Sequence, residues 1–109
     1  MKHVALIILI SAAVGGCSLT LPVQGQMAGG EEHFTGSATG YADGSGKLNI
    51  VSNKGLKCEG VFVYVTHRNG SGTFNCSNGQ SGPFDFVSTG TRGTGTGTLG
   101  SRRFTFTFG

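Results

Sequence analysis

Short segments from residue 36 onward alternate apolar and polar side chains. Alternation over a few residues is typical of a β-strand with one face on the core. The segments are Leu48/Ile50, Phe74/Cys76, Phe84/Phe86 and Phe104/Phe106/Phe108. Residues 61–65 (VFVYV) are instead apolar without a break. That run predicts a central strand buried on both faces.

A repeat accompanies this alternation. Residues 44–48 (GSGKL), 70–74 (GSGTF) and 95–99 (GTGTL) open alike, with spacings of 26 and then 25 residues, and a second apolar segment follows each. Asn69-Gly70 and Asn78-Gly79 are strong turn signals, and Asp43-Gly44 and residues 53–55 mark further reversals. Each repeat is therefore predicted to be a β-hairpin. Residues 36–42 are predicted to form one further strand.

The predicted fold class is all-β. We expect a small antiparallel meander of six or seven strands, built from hairpin repeats of about 25 residues over residues 36–109 and able to curl into a barrel. Glycines at alternate strand positions leave one face bare, so that phenylalanine rings can lie across it or the strand can bend. The layout is distantly similar to MORN-type β-hairpin repeats. The short spacing from Gly79 to Gly82 departs from that family, so no function is carried over.

The first 17 residues, MKHVALIILISAAVGGC, have a different character. Lys2 precedes an apolar run too short to span a bilayer, and a small-residue tail comes after it. The tail ends Val14-Gly15-Gly16-Cys17, which resembles the lipobox of bacterial lipoproteins. The resemblance implies cleavage before Cys17, lipidation of Cys17 and a membrane anchor. Cleavage elsewhere, with Cys17 an ordinary residue, and an uncleaved anchor are the alternatives.

The chain is accordingly divided into a signal peptide (residues 1–16), the lipidated Cys17 with a flexible tether (17–35) and a glycine-rich β domain (36–109). The tether prediction rests on Pro22 and several glycines and on the lack of a sustained period. Its expected role is to hold the domain clear of the headgroups. Ser18 resembles the neutral residue that lipoprotein sorting associates with the outer membrane, in an organism that has two membranes.

Cys58 and Cys76 are the two cysteines left in an exported domain, which predicts a disulfide between them. A tight turn at Asn69-Gly70 would place Cys76 opposite Val63. The bridge therefore requires a bulge at Gly60 or a wider loop over residues 67–71.

Candidate chemistry is sparse. The domain's acids Asp43, Glu59 and Asp85 and its histidine His67 form no catalytic or metal-ligand pattern, so no catalytic residue, metal or cofactor is predicted and the protein is not expected to be an enzyme. The glycine-rich residues 93–97 lack the helix and Lys-Ser/Thr pair of a phosphate loop. A formal charge of +3, scattered along the chain, does not predict nucleic-acid binding.

Two functions remain. The first is an envelope lipoprotein with a structural or protein-interaction role, which contacts the membrane through its anchor and other envelope proteins through sheet edges or an aromatic face. The second is a module that binds a small ligand or a glycan, with Tyr64, His67 and Arg68 (beside Tyr41) as the polar aromatic site. Whether the exposed aromatic patch is concave and lined with polar groups, or flat, distinguishes them.

Overall fold

A computed structural model describes residues 18–109, which form eight antiparallel strands closed into a barrel. Each strand pairs with the next along the chain, and β1 pairs with β8 to complete the closure. This confirms the all-β meander and its barrel form. The strands are β1 (Leu19–Met27), β2 (His33–Gly40), β3 (Ser45–Ser52), β4 (Lys57–Tyr64), β5 (Asn69–Cys76), β6 (Ser81–Thr89), β7 (Arg92–Leu99) and β8 (Arg102–Phe108).

The up-and-down order gives the barrel two different ends. One end carries the start of β1, the β2–β3, β4–β5 and β6–β7 connections and the end of β8, and we call it the open end. The opposite end carries the four remaining connections, and we call it the closed end. Within residues 18–109 there is no helix long and apolar enough to cross a membrane.

Glycines and phenylalanines face each other across neighbouring strands inside the barrel. A Cβ added to any of these glycines would collide with the ring of its partner, so only glycine leaves room for the ring. The predicted bare glycine face therefore exists, and rings cover it. The seven pairs are Gly46/Phe62, Gly60/Phe74, Gly70/Phe86, Gly72/Phe84, Gly93/Phe108, Gly95/Phe106 and Gly97/Phe104.

The strand count of six or seven and the tether were wrong because residues 19–35 fold into the barrel. Leu19–Met27 is β1, and β2 begins at His33. Pro22 is tolerated because it lies just beyond the β1–β8 ladder, which starts at Val23. The signal peptide and Cys17 lie outside the described residues.

The prediction of a doubly buried central strand at residues 61–65 was also wrong. Phe62 points into the barrel, whereas Val61 and Val63 lie on the outer face with more than half of their surface exposed. A closed single-layer barrel has only one buried face, so an uninterrupted apolar run cannot be buried on both sides.

The turn signals were mostly correct. Gly44, Gly55 and Gly79 have positive φ and lie in short connections between strands, as expected for hairpins. Asn69-Gly70 is not a turn: both residues belong to β5, and the chain reverses over residues 65–68. This wider loop sets Cys58 directly opposite Cys76 without a bulge at Gly60.

The closed end is sealed by well-packed side chains. The predicted disulfide between Cys58 and Cys76 is confirmed and lies inside the barrel, close to the fully buried Phe74. Arg102 donates a hydrogen bond to the buried carboxylate of Glu32 at 3.0 Å. The core comprises Val23, Met27, Phe34, Leu48, Ile50, Cys58, Phe62, Phe74, Cys76, Phe84, Phe86, Leu99, Phe104 and Phe106.

Candidate functional site

The interior is not filled at the open end, where an apolar cavity of about 250 Å³ opens to solvent. An eight-stranded barrel is just wide enough to be filled by side chains or to hold one small ligand. Here both occur, with packed rings towards the closed end and space at the open end. The lining consists of Leu19, Leu21, Ala38, Gly40, Tyr41, Ala42, Leu48, Phe62, Tyr64, Phe86, Gly90, Phe106 and Phe108.

Aromatic rings supply one wall of this cavity. Phe86 lies at the centre, with its ring centroid 5.1 Å from Phe62, 5.2 Å from Tyr64 and 5.7 Å from Phe108, all in edge-to-face arrangements. Edge-to-face pairs fix ring orientation and add to the stability that burial provides. The opposite wall, from the start of β1 and the end of β2, is aliphatic. The cavity is thus preformed on its aromatic side.

Polar groups at the cavity are few. The Tyr64 hydroxyl donates to Ser88 Oγ at 3.2 Å, and Ser88 Oγ donates in turn to the backbone carbonyl of Arg68 at 3.4 Å. The Ser88 amide also donates to that carbonyl, at 2.7 Å. This chain of hydrogen bonds ties the loop over residues 65–68 to β6. The cavity lining itself contains no charged side chain among the described residues.

The predicted ligand residues fall at this end but do not form one site. Tyr64 lines the cavity, and so does Tyr41. His67 and Arg68 lie on the exposed β4–β5 loop and their side chains do not line the cavity. The concave patch is therefore largely apolar, whereas the sequence suggested a polar aromatic spot. This apolar lining suits an apolar ligand better than a glycan, because the hydroxyl groups of a glycan need hydrogen-bond partners.

The aliphatic wall is formed by Leu19, Leu21 and Ala38, which were not among the predicted site residues. For the two leucines the signal was present, since residues 19–27 (LTLPVQGQM) place an apolar residue or glycine at every second position. Such alternation predicts a strand with one buried face. Pro22 and Gly25 obscured it because both residue types are common in linkers.

The acidic residues have structural explanations. Asp43 Oδ1 accepts hydrogen bonds from the hydroxyl and amide of Ser45, at 2.7 and 3.0 Å, which lower the pKa of its carboxyl group. This is the pattern of an aspartate that stabilises a turn. Glu59 and Asp85 lie exposed on the outer face. Residues 18–109 contain no group of three or more histidine, cysteine, aspartate or glutamate side chains arranged to hold a metal ion.

Comparison with known proteins gives a likeness of fold. No family model and no curated protein matches the chain. Its structure is similar to that of a redesigned β-barrel, mFAP1, bound to DFHBI, with a TM-score of 0.69, 12% identity and coverage of 88% of this chain and 96% of that one. A de novo designed fluorescence-activating β-barrel gives a TM-score of 0.63 at 11% identity over 82% of this chain and 88% of the other. At these identities the likeness establishes a β-barrel fold and nothing further.

Proposed function

We propose that this chain is a lipid-anchored protein of the bacterial cell envelope that binds a small apolar ligand in the open end of its barrel and catalyses no reaction. The observation that carries the ligand role is the apolar cavity of about 250 Å³ with its aromatic wall. Ligand sites are usually concave, largely preformed and mostly apolar, with few polar groups. The barrel mFAP1, solved with DFHBI bound, illustrates that this architecture can hold a ligand.

The anchor is supported by the signal segment, in which Cys17 follows an apolar run and two small residues. Lipid chains on that cysteine hold a protein at a membrane durably, because each buried methylene contributes about 0.8 kcal/mol. With Ser18 in the next position, the outer membrane is the proposed location in an organism that has two membranes.

Ligand binding is tested on the chain from Ser18 to Gly109, which contains the whole barrel and its core. The probe is N-phenyl-1-naphthylamine, whose fluorescence rises in apolar surroundings. We expect saturable enhancement, and displacement of the probe by a medium-chain fatty acid. No enhancement by the folded barrel would contradict the ligand role.

A matched pair of variants locates the site. Ala38→Phe should fill the cavity and weaken probe binding by at least about tenfold, equivalent to about 1.4 kcal/mol. Ser37→Phe places the same ring on the preceding residue of β2, whose side chain points away from the barrel interior, and should leave affinity unchanged. Equal losses in both variants would place the binding elsewhere.

The anchor has its own test. Cys17→Ser should abolish incorporation of labelled fatty acid and release the protein from membranes. A Cys58→Ala, Cys76→Ala double variant is the control, because these cysteines are paired inside the barrel and should not accept lipid. Unchanged labelling of Cys17→Ser would contradict lipidation at that residue.

The structural or protein-interaction role stays as the second candidate, and the exposed valines of β4 favour it. Val61 and Val63 lie side by side on the outer face. Exposed apolar residues that cluster are typical of protein contacts. Val61→Thr, Val63→Thr should lose an envelope partner recovered by cross-linking in whole cells while the affinity for the naphthylamine probe is kept. An unchanged cross-linking pattern would remove this candidate.

A further inference from the structure

The barrel begins almost directly after the proposed lipidation site, and the inference made here rests on lipidation of Cys17. β1 begins at Leu19, at the open end, so only Ser18 separates it from Cys17. Two residue steps span at most about 7 Å. The residues that were expected to form a spacer are part of the barrel. With Cys17 lipidated, the start of β1 would lie no more than about 7 Å along the chain from the residue that carries the lipid.

Exposed apolar side chains are concentrated at the same end. Leu19, Tyr41, Tyr64 and Val65 surround the opening, and Val65 is the most exposed of them, with 70% of its surface accessible. Val63 and Val87 lie next to this rim on the outer face. Among the described residues, Val51 is the one large apolar residue that is exposed near the closed end. Tyrosine is enriched where proteins meet the membrane–water interface.

The charged side chains have the complementary distribution. The closed end carries exposed Glu31, Lys54 and Arg103 together with half-exposed Arg102. The rim carries Arg68 and Arg92, with Asp43 as its acidic residue. Arginine side chains next to an apolar surface suit anionic headgroups, which attract each cation by about 1 kcal/mol.

We infer that the rim of the open end is a membrane-docking surface, held on the bilayer by Leu19, Tyr41, Tyr64, Val65 and the two arginines. The cavity then opens towards the bilayer, and its ligand is of the class that partitions there, an acyl chain. The closed end points into the water. Anchor, apolar rim and cavity are thus three parts of one membrane-facing surface.

The chain has no tryptophan, so single tryptophans can report on each end. Val65→Trp places the reporter on the rim, and Lys54→Trp places it on an exposed closed-end turn as the matched control. The lipidated proteins are reconstituted into vesicles of phosphatidylethanolamine and phosphatidylglycerol. Quenching by lipids brominated on the acyl chains is compared with quenching by iodide in the water.

We expect Val65→Trp to lose more than half of its emission to the brominated lipids, with a blue shift and protection from iodide. Lys54→Trp should show the reverse. If both proteins float with the vesicles but both tryptophans are quenched by iodide alone, the docking inference is overturned while lipid anchoring stands. If the proteins do not float with the vesicles, anchoring itself fails and the inference fails with it.

A second copy of the chain is the competing occupant of the rim. In that case Val65→Trp would be protected from iodide in dilute detergent without vesicles, in a concentration-dependent way, and brominated lipids would not quench it. That result would overturn the inference. Val65→Asp, tested beside Lys54→Asp, adds an independent measurement: it should move the reporter of a Tyr41→Trp variant from lipid towards water, whereas the control should not.

Discussion

The two ends of this barrel are built from the same strands but differ in how fully side chains pack the interior. At the closed end, Phe74 is almost fully buried beside a disulfide, and Arg102 pairs with the buried Glu32. At the open end, Phe108 is half-buried and borders an open cavity. The closed end therefore has the packing that gives a small domain its stability. The open end keeps an unfilled apolar space, which is where we propose that a ligand binds.

This difference shows how a chain of this size can contain a cavity. A small domain buries too little surface to tolerate a large unfilled interior. Here the fully buried side chains, such as Phe34, Phe74 and Leu99, do not line the cavity, and a covalent link at the closed end adds to their contribution. Variants at the two ends should consequently separate stability from binding.

The largest effect is expected for removal of a closed-end ring. Phe74→Ala should lower the free energy of unfolding by about 3–5 kcal/mol, because a fully buried ring is removed and Gly60 opposite has no side chain to fill the space. Phe108→Ala at the open end should lower it by only about 1–2 kcal/mol, since its ring already borders a cavity. Urea unfolding measures both. Equal losses would mean that the two ends do not differ in packing.

The disulfide comes next. Its loss in Cys58→Ala, Cys76→Ala should lower the free energy of unfolding by about 3 kcal/mol, because the bridge closes a loop with a sequence separation of 18. Thermal unfolding measures the loss. Probe affinity, measured where the variant is still folded, should not change, because neither cysteine lines the cavity. A parallel fall in affinity would show that the ends are coupled.

The ion pair at the closed end should make stability depend on pH. Hydrogen bonds from Ser52 and then from Arg102 lower the pKa of Glu32. Its contribution to stability is therefore complete above the unfolded carboxyl pKa of about 4.3 and is lost as the pH falls through the lowered folded value. Glu32→Gln should cost about 1 kcal/mol at pH 7, since Arg102 is half-exposed.

Urea unfolding at several pH values tests this. The difference in free energy of unfolding between Glu32→Gln and the parent chain should shrink as the pH falls below about 4.3. Glu31→Gln, on the neighbouring exposed residue, is the matched control and should change little. A constant difference at every pH would contradict the role of the Glu32 charge.

The smallest effect belongs to the open end. Tyr64→Phe removes the hydrogen bond to Ser88 while the ring stays in the aromatic wall. It should lower the free energy of unfolding by about 0.5–1 kcal/mol and leave affinity for an apolar probe nearly unchanged. A strong loss of affinity would indicate that the ligand uses the hydroxyl group. The cavity would then have a polar specificity that its lining does not suggest.

The hairpins and the disulfide were predictable because they depend on local signals. Alternation marked the inner faces of β3, β5, β6 and β8. With Cys17 assigned to the lipid anchor, the two remaining cysteines allowed the disulfide Cys58–Cys76 to be predicted. Barrel closure depends instead on the pairing of β1 with β8, which are separated by most of the chain. Because Pro22 and Gly25 favour a tether over residues 19–27, the sequence predicts closure only as one way in which the sheet can curl.

The cavity itself was not predictable from the sequence. Whether an inward position is filled depends on which ring lies across it from the neighbouring strand, and that depends on register. The shift of the β4–β5 loop from Asn69-Gly70 to residues 65–68 illustrates the point. The predicted turn would have set Cys76 opposite Val63, whereas the actual loop sets it opposite Cys58. The same register places Phe62 opposite Gly72.

The facing glycines and rings also decide how the strands can slip. A shift of β5 against β4 by one residue would turn Phe74, the ring of β5, outward, and a shift by two would set it against Cys58 or Phe62 instead of Gly60. Mispaired hairpins thus lose either the inward position of this ring or its fit to Gly60 before any covalent bond forms. Because Cys58 faces Cys76 only in the remaining alignment, oxidation of the two thiols records that the hairpin has already been assembled correctly.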